Sequence, residues 1–141
     1  MQTIAVPDLA GRLRLTIVRT ARRLRQEAGT GLSPSLTAAL STVERHGPMT
    51  PSELAARERI QRPTATRVLA RLEEAGLVHR TPDPQDRRSS LVEATPAAHH
   101  LLAELRTRKT AFLAERLERL APEDRATLER AAEILERMLD E

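Results

Sequence analysis

Apolar residues recur along most of the chain at helical spacing, and the breaks in that recurrence mark where its elements begin and end. Leu9, Leu13, Ile17, Ala21, Leu24 and Ala28 follow an i, i+4, i+7 stripe, which predicts one amphipathic helix over residues 8–28. Gly29 and Gly31 end it. Ser33-Pro34 puts a side-chain oxygen at the N-cap and proline at the first helical position, so a second helix starts there. Leu36, Leu40 and Val43 give its buried face, and His46-Gly47-Pro48 stops it. Thr50-Pro51-Ser52-Glu53 joins a capping box to a proline at N1 and opens a short third helix that ends near Glu58. Arg59-Ile60 makes the turn, with Ile60 expected to be buried at the corner.

From Gln61 to Gly76, Ala65, Val68, Leu69 and Leu72 share one side of a fourth helix while Arg62, Thr64, Arg67 and Arg71 point the other way. Gln61 is a poor N-cap, and Pro63 fits only within the first turn. Gly76 suits the position just past the helix, with Leu77 closing back onto it as in a Schellman motif. Leu77 to Arg80 is too short for a helix and reads as a strand. Pro82-Asp83-Pro84-Gln85-Asp86 is a turn cluster, and Ser89 to Ala94 a second strand. Thr95-Pro96 caps a long helix, along which Leu102, Leu105, Phe112, Leu113, Leu117 and Leu120 run to about residue 119. Ala121-Pro122 starts the last helix, with Glu123 and Asp124 near its positive end and Leu128, Ala131, Leu135, Met138 and Leu139 along one face. The expected class is mainly α, in the order α-α-α-α-β-β-α-α. Three helices followed by a two-stranded basic hairpin make a winged helix-turn-helix.

Composition narrows the chemistry. The 141 residues suffice for one core, and no cysteine is present, which removes disulfides, thiolate nucleophiles and cysteine zinc sites. No apolar run approaches the roughly 18 residues that span a bilayer, and the N-terminus has no signal-peptide core, so a cytoplasmic protein without membrane contact is expected. Net charge is only +3, but residues 1–48 carry seven arginines against three acids, and residues 96–141 carry eight basic residues against ten acids. Phe112 is the one aromatic, too few for base stacking on a single strand. The stretch Arg62 to Arg71 holds three arginines and no carboxylate, and a helix with such a side suits the major groove of a duplex, where these groups reach phosphates and base edges.

At this point the chain resembles the MarR family of multiple-antibiotic-resistance regulators over about residues 8–140. The stretch Glu53 to Arg80, ELAARERIQRPTATRVLARLEEAGLVHR, has the family's Leu-Ala, hydrophobic corner, Thr-x-Thr-Arg, Leu-Glu and Gly-Leu-Val. The hairpin pattern stands as Asp86, Arg87 and Arg88, then Ala94-Thr95 and Ala98. Ala94 replaces the usual leucine, Ala98 the usual glycine, and Gln61 the common Ser or Thr. The resemblance implies a homodimer paired through its terminal helices. The expected division is residues 1–30 as an N-terminal dimerisation helix, 31–95 as the DNA-binding lobe and 96–141 as C-terminal dimerisation helices. Leucine beyond what a three-helix core can cover points the same way. It further implies a transcriptional regulator, a repressor by family habit, that binds a pseudo-palindromic site in double-stranded DNA and is released by a small anionic or phenolic effector. The arginines of the first helix and His46 are candidate anion contacts.

Two recognition helices would then put Arg62, Pro63, Thr64, Thr66, Arg67 and Arg71 into successive major grooves. Thr64 and Arg67, one turn apart, are expected to read bases, and Arg62 and Arg71 to hold phosphates. Arg87 or Arg88 should enter the flanking minor groove, while Asp86 pairs with an arginine to shape the hairpin. No cofactor is expected, nor a metal: His99 and His100 are adjacent on a helix, and no Glu-x-x-His pair stands at ligand spacing. Enzymatic readings fail on the residues. Gly31-Leu32-Ser33-Pro34-Ser35 lacks the second glycine of a nucleophile elbow, and no glycine-rich phosphate loop exists. The alternative is a winged helix that binds protein through the same face, which would need apolar anchors where this one carries arginine and threonine.

Overall fold

The computed structural model describes residues 3–29 and 31–141. Its elements run α1 (Val6–Ala28), α2 (Pro34–His46), α3 (Pro51–Glu58), α4 (Arg62–Glu74), β1 (Val78–Pro82), β2 (Ser90–Ala94), α5 (Pro96–Glu118) and α6 (Pro122–Leu139), the order expected from the sequence. Met1, Gln2 and Thr30 lie outside the described residues, and so does the end expected at residue 30 for the N-terminal segment. The chain forms two compact units, one of residues 28–107 and one of the residues up to Glu27 with Arg108–Glu141. The boundary between these units falls inside α5, whose Ala98, Leu102 and Leu105 belong to the core of the first unit.

In residues 28–107 local signals set the helix ends. The Ser33 hydroxyl accepts from the Leu36 amide, and the Thr50 hydroxyl from the Glu53 amide, each meeting one orphan donor at a helix start. At the end of α4, Gly76 at φ +74 lets its amide reach Glu73 O while Leu77 N reaches Leu72 O. That pair of bonds is the Schellman closure. Gly47 is needed for space: a Cβ there would stand 2.5 Å from the Val43 carbonyl oxygen. Leu40, Val43, Leu54, Ala65, Leu69 and Leu72 close the core between the three helices, and Val78, Val92 and Ala94 cover it from the hairpin.

β1 and β2 pair antiparallel, with Val78 opposite Ala94 and Pro82 opposite Ser90. β1 therefore runs two residues past Arg80, into the predicted turn. Met49, between α2 and α3, adds a bridge to Val92 through two backbone bonds of 3.1 and 2.7 Å. Thr95 then joins the hairpin to α5: its hydroxyl donates to Gly76 O and accepts from Ala98 N.

Glu44 fastens α2 to the first half of α5. Its side chain is 13% exposed and lies 2.7 Å from Arg106 Nη2 and 3.1 Å from His99 Nδ1. Burial pushes its pKa up, but the hydrogen bonds and charges of Arg106 and His99 outweigh that and hold it below the ordinary carboxylate value.

The second unit is built differently. None of its described residues is buried. Leu9, Leu13 and Ile17 on α1 and Leu128 and Met138 on α6 are exposed, Ile17 at 48% and Met138 at 57%. Leu24, Phe112, Leu117 and Leu135 are half-buried. Guanidinium groups gather at the one aromatic ring, Arg116 at 4.6 Å and Arg23 at 5.7 Å from the Phe112 centroid. Arg125 donates to the carbonyls of Leu117 and Leu120 and so gives the end of α5 its partners.

Candidate nucleic-acid interface

α3 hands over to α4 through Arg59, which adopts a left-handed backbone (φ 54, ψ 46), and Ile60, whose amide bonds Ala55 O at 3.0 Å. Ile60 is half-buried, not buried, because the corner borders an open groove between α2 and α4 where Ser35, Ala38 and Val68 also face. Gln61 caps α4 with its backbone alone and makes no side-chain capping bond. Its amide stands one methylene further out than that of asparagine, which weakens the short reach a cap needs.

Along α4, Ala65, Leu69 and Leu72 are fully buried, and Arg62, Pro63, Thr66, Arg67 and Arg71 are exposed. From Arg62 to Leu72 the helix carries no acid, so its outward side is a cationic surface with no apolar anchor. Thr64 departs from the expected pattern. It is half-buried over the groove toward α2, and its hydroxyl oxygen accepts from Arg67 Nη2 at 3.3 Å. Thr66 donates its own hydroxyl to Arg62 O at 3.0 Å. The two threonines therefore differ in station: one sits under an arginine, the other on the open flank.

Residues that the sequence did not assign to the site border this surface. Ser33 and Ser35, at the start of α2, line a groove with Arg67 and Arg71. Arg80 on β1 donates to Glu73 at the last turn of α4 and so ties helix to hairpin. Neither was legible, since both depend on elements that meet only in the fold.

The hairpin tip holds its shape by short-range bonds. Asp83 Oδ1 accepts from Gln85 N and Asp86 Oδ1 from Arg88 N, both at 3.0 Å. Ser89 N reaches Asp86 O, and Asp83 N reaches Ser89 O. The Asp86 carboxylate also lies 3.8 Å from Arg88 Nε, while the Arg88 side chain is 96% exposed. Arg87 is exposed beside it. The tip thus offers two solvated guanidinium groups on a stiffened loop, a form suited to a phosphate or a narrow groove.

Among the described residues no three His, Asp or Glu side chains gather as metal ligands, and no helix is long and apolar enough to cross a membrane. His79 turns to Glu93 and His99 to Glu44.

Comparison with known proteins follows the same line. The MarR family model matches residues 32–90, which span α2 to the start of β2. An uncharacterized HTH-type transcriptional regulator of Mycobacterium bovis is 38% identical over 134 residues, 94% of each chain. A solved structure from Pseudomonas aeruginosa superposes with a TM-score of 0.86 at 31% identity, covering 98% of both chains. A MarR family protein of Bacillus stearothermophilus gives 0.80 at 23% identity over 96% of each, a likeness of fold.

Proposed function

The chain belongs to the MarR family of winged helix-turn-helix transcriptional regulators, DNA-binding proteins, and from that premise we propose that it is a repressor acting as a homodimer on a pseudo-palindromic operator. The observation that carries the reading is the exposed side of α4, where Arg62, Pro63, Thr66, Arg67 and Arg71 stand without a carboxylate or an apolar anchor. In this reading α4 enters the major groove, Arg62 and Arg71 hold phosphates, and Arg87 and Arg88 reach the flanking minor groove. The homodimer reading rests on the apolar stripes that α1 and α6 leave exposed in the single chain. Two-fold symmetry then sets half-sites about one turn, ~34 Å, apart. The protein works in the cytoplasm, on the chromosome.

The same reading includes release by a small anionic effector. Its support is the notch where Arg19, Arg23 and Arg116 surround Phe112, cationic and aromatic at once. Such a compound releases DNA only if it favours the conformer that misfits the operator.

The test is a gel-shift series on fragments selected from the source genome, at several salt concentrations. Arg88→Ala should weaken binding to every sequence and reduce the slope of log K against log salt by about 1. Retained affinity and slope, or equal binding of the parent protein to random and selected duplexes, would sink the reading.

A further inference from the structure

Most threonines inside this protein's helices bond back to their own helix, whereas Thr42 donates to the Glu58 carboxylate and Thr64, in the first turn of α4, has no helical carbonyl four residues back. Thr16, Thr20, Thr107 and Thr127 each donate the hydroxyl to the carbonyl four residues back, at 2.7–2.9 Å, and Thr66 does so at 3.0 Å. That bond turns the side chain onto its own helix. The Thr64 oxygen is instead an acceptor for Arg67, the residue one turn further along α4.

We infer that Thr64 is a positioning residue that aims the Arg67 guanidinium at a guanine in each operator half-site, and does not itself read a base. The inference rests on the reading of α4 as the helix that enters the major groove, and it differs from the expectation that Thr64 and Arg67 read bases side by side.

The chemistry is specific. An arginine side chain is long and rotamer-rich, and bidentate recognition demands that its planar fork be held in one orientation. Thr64 can hold it. The residue is β-branched and therefore stiff at χ1, and it is half-buried above Ile60 and Val68, so its oxygen is a fixed point. Accepting from Nη2 consumes one of five guanidinium hydrogens. The second Nη2 hydrogen and one on Nη1 or Nε remain for the O6 and N7 acceptors of guanine, the pair that arginine matches best among base edges. Its half-burial also keeps Thr64 off the outermost side of the helix, where Arg67 and Pro63 stand exposed.

The experiment uses the full chain and an operator selected from random duplexes. Each half-site position is then varied through all four base pairs. Arg67→Ala should erase a preference for G·C of roughly 10- to 100-fold at one position per half-site. Thr64→Val keeps the shape and removes the acceptor. It should cut that same preference by roughly 3- to 10-fold, with affinity for random duplex and melting temperature unchanged, as expected for loss of an orienting hydrogen bond. Thr64→Ser keeps the oxygen and should retain the preference within about 2-fold. The double variant Thr64→Val/Arg67→Ala should match Arg67→Ala alone, since the threonine acts through the arginine.

Full G·C preference in Thr64→Val, or losses that add in the double variant, overturns the positioning role while leaving α4 as the reading helix. Should Thr64→Val lower the melting temperature, the Ser variant decides: a lost preference there also overturns the role. An Arg67→Ala protein that discriminates like the parent at every position removes the α4 reading, and this inference with it.

Discussion

Leu69 on α4 and Ile17 on α1 both sit on apolar stripes at helical spacing, yet Leu69 is fully buried and Ile17 is 48% exposed. The contrast extends to the two units. Among the described residues, every buried hydrophobic side chain lies in residues 28–107, and every large exposed one lies in residues 3–27 or 108–141. An amphipathic pattern therefore states that a face must be covered, but not by what. In the first unit the hairpin and α5 supply the cover within the chain. In the second, apolar faces on α1 and α6 remain open in one copy, which supports a second copy as their partner.

The largest effect should come from emptying the closed core. Leu69→Ala should lower the stability of residues 28–107 by about 2–5 kcal/mol, read by denaturant titration. A cost under about 1 kcal/mol would mean that this core is looser than its burial indicates. On the open side the prediction reverses. Leu13→Glu with Ile17→Glu should leave amide exchange protection in residues 28–107 intact and weaken self-association roughly 10- to 100-fold, equal to about 1.4–2.7 kcal/mol. Light scattering across a dilution series reads this, and an unchanged dimer would show that α1 is not the covered face.

The smallest effect concerns the bond between α2 and α5. Glu44 titrates lower in the folded protein than its ordinary value of 4.5, so the unfolded chain takes up that proton first as pH falls. Its contribution is complete above that ordinary value and fades as pH drops through the lowered folded one. Glu44→Gln should therefore flatten the acid limb of the stability curve of residues 28–107. A parallel curve, merely displaced, would mean that Arg106 and His99 do not depend on the Glu44 charge.

The legible parts of the molecule were those fixed by neighbours in sequence. Ser33, Thr50, Thr95 and Gly76 announce helix ends because each acts within a few residues, and the arginine side of α4 follows from helical period alone. What the sequence hid is long-range. Met49 pairs with Val92 as a single residue, too short to show any period. The division of α5 after Thr107 leaves no mark, since the helix continues unbroken across it. The depth of Thr64 was hidden too, because spacing gives direction and not depth; its half-burial depends on where α2 lies. Arg116 stands four residues from Phe112 on α5, a spacing the sequence shows, but Arg23 comes to the ring from α1, and no local motif could have joined it to them.

The hairpin tip has a consequence of another kind. Asp83 and Asp86 close it through amides two residues away, and the Asp83–Ser89 bond seals its base, so residues 83–89 fold on local instructions. None of those residues is buried. Such a segment behaves as an exchangeable cassette. Its arginines can be replaced or added while the scaffold stays the same, so under the proposed reading the preference for flanking sequence can change at little structural expense.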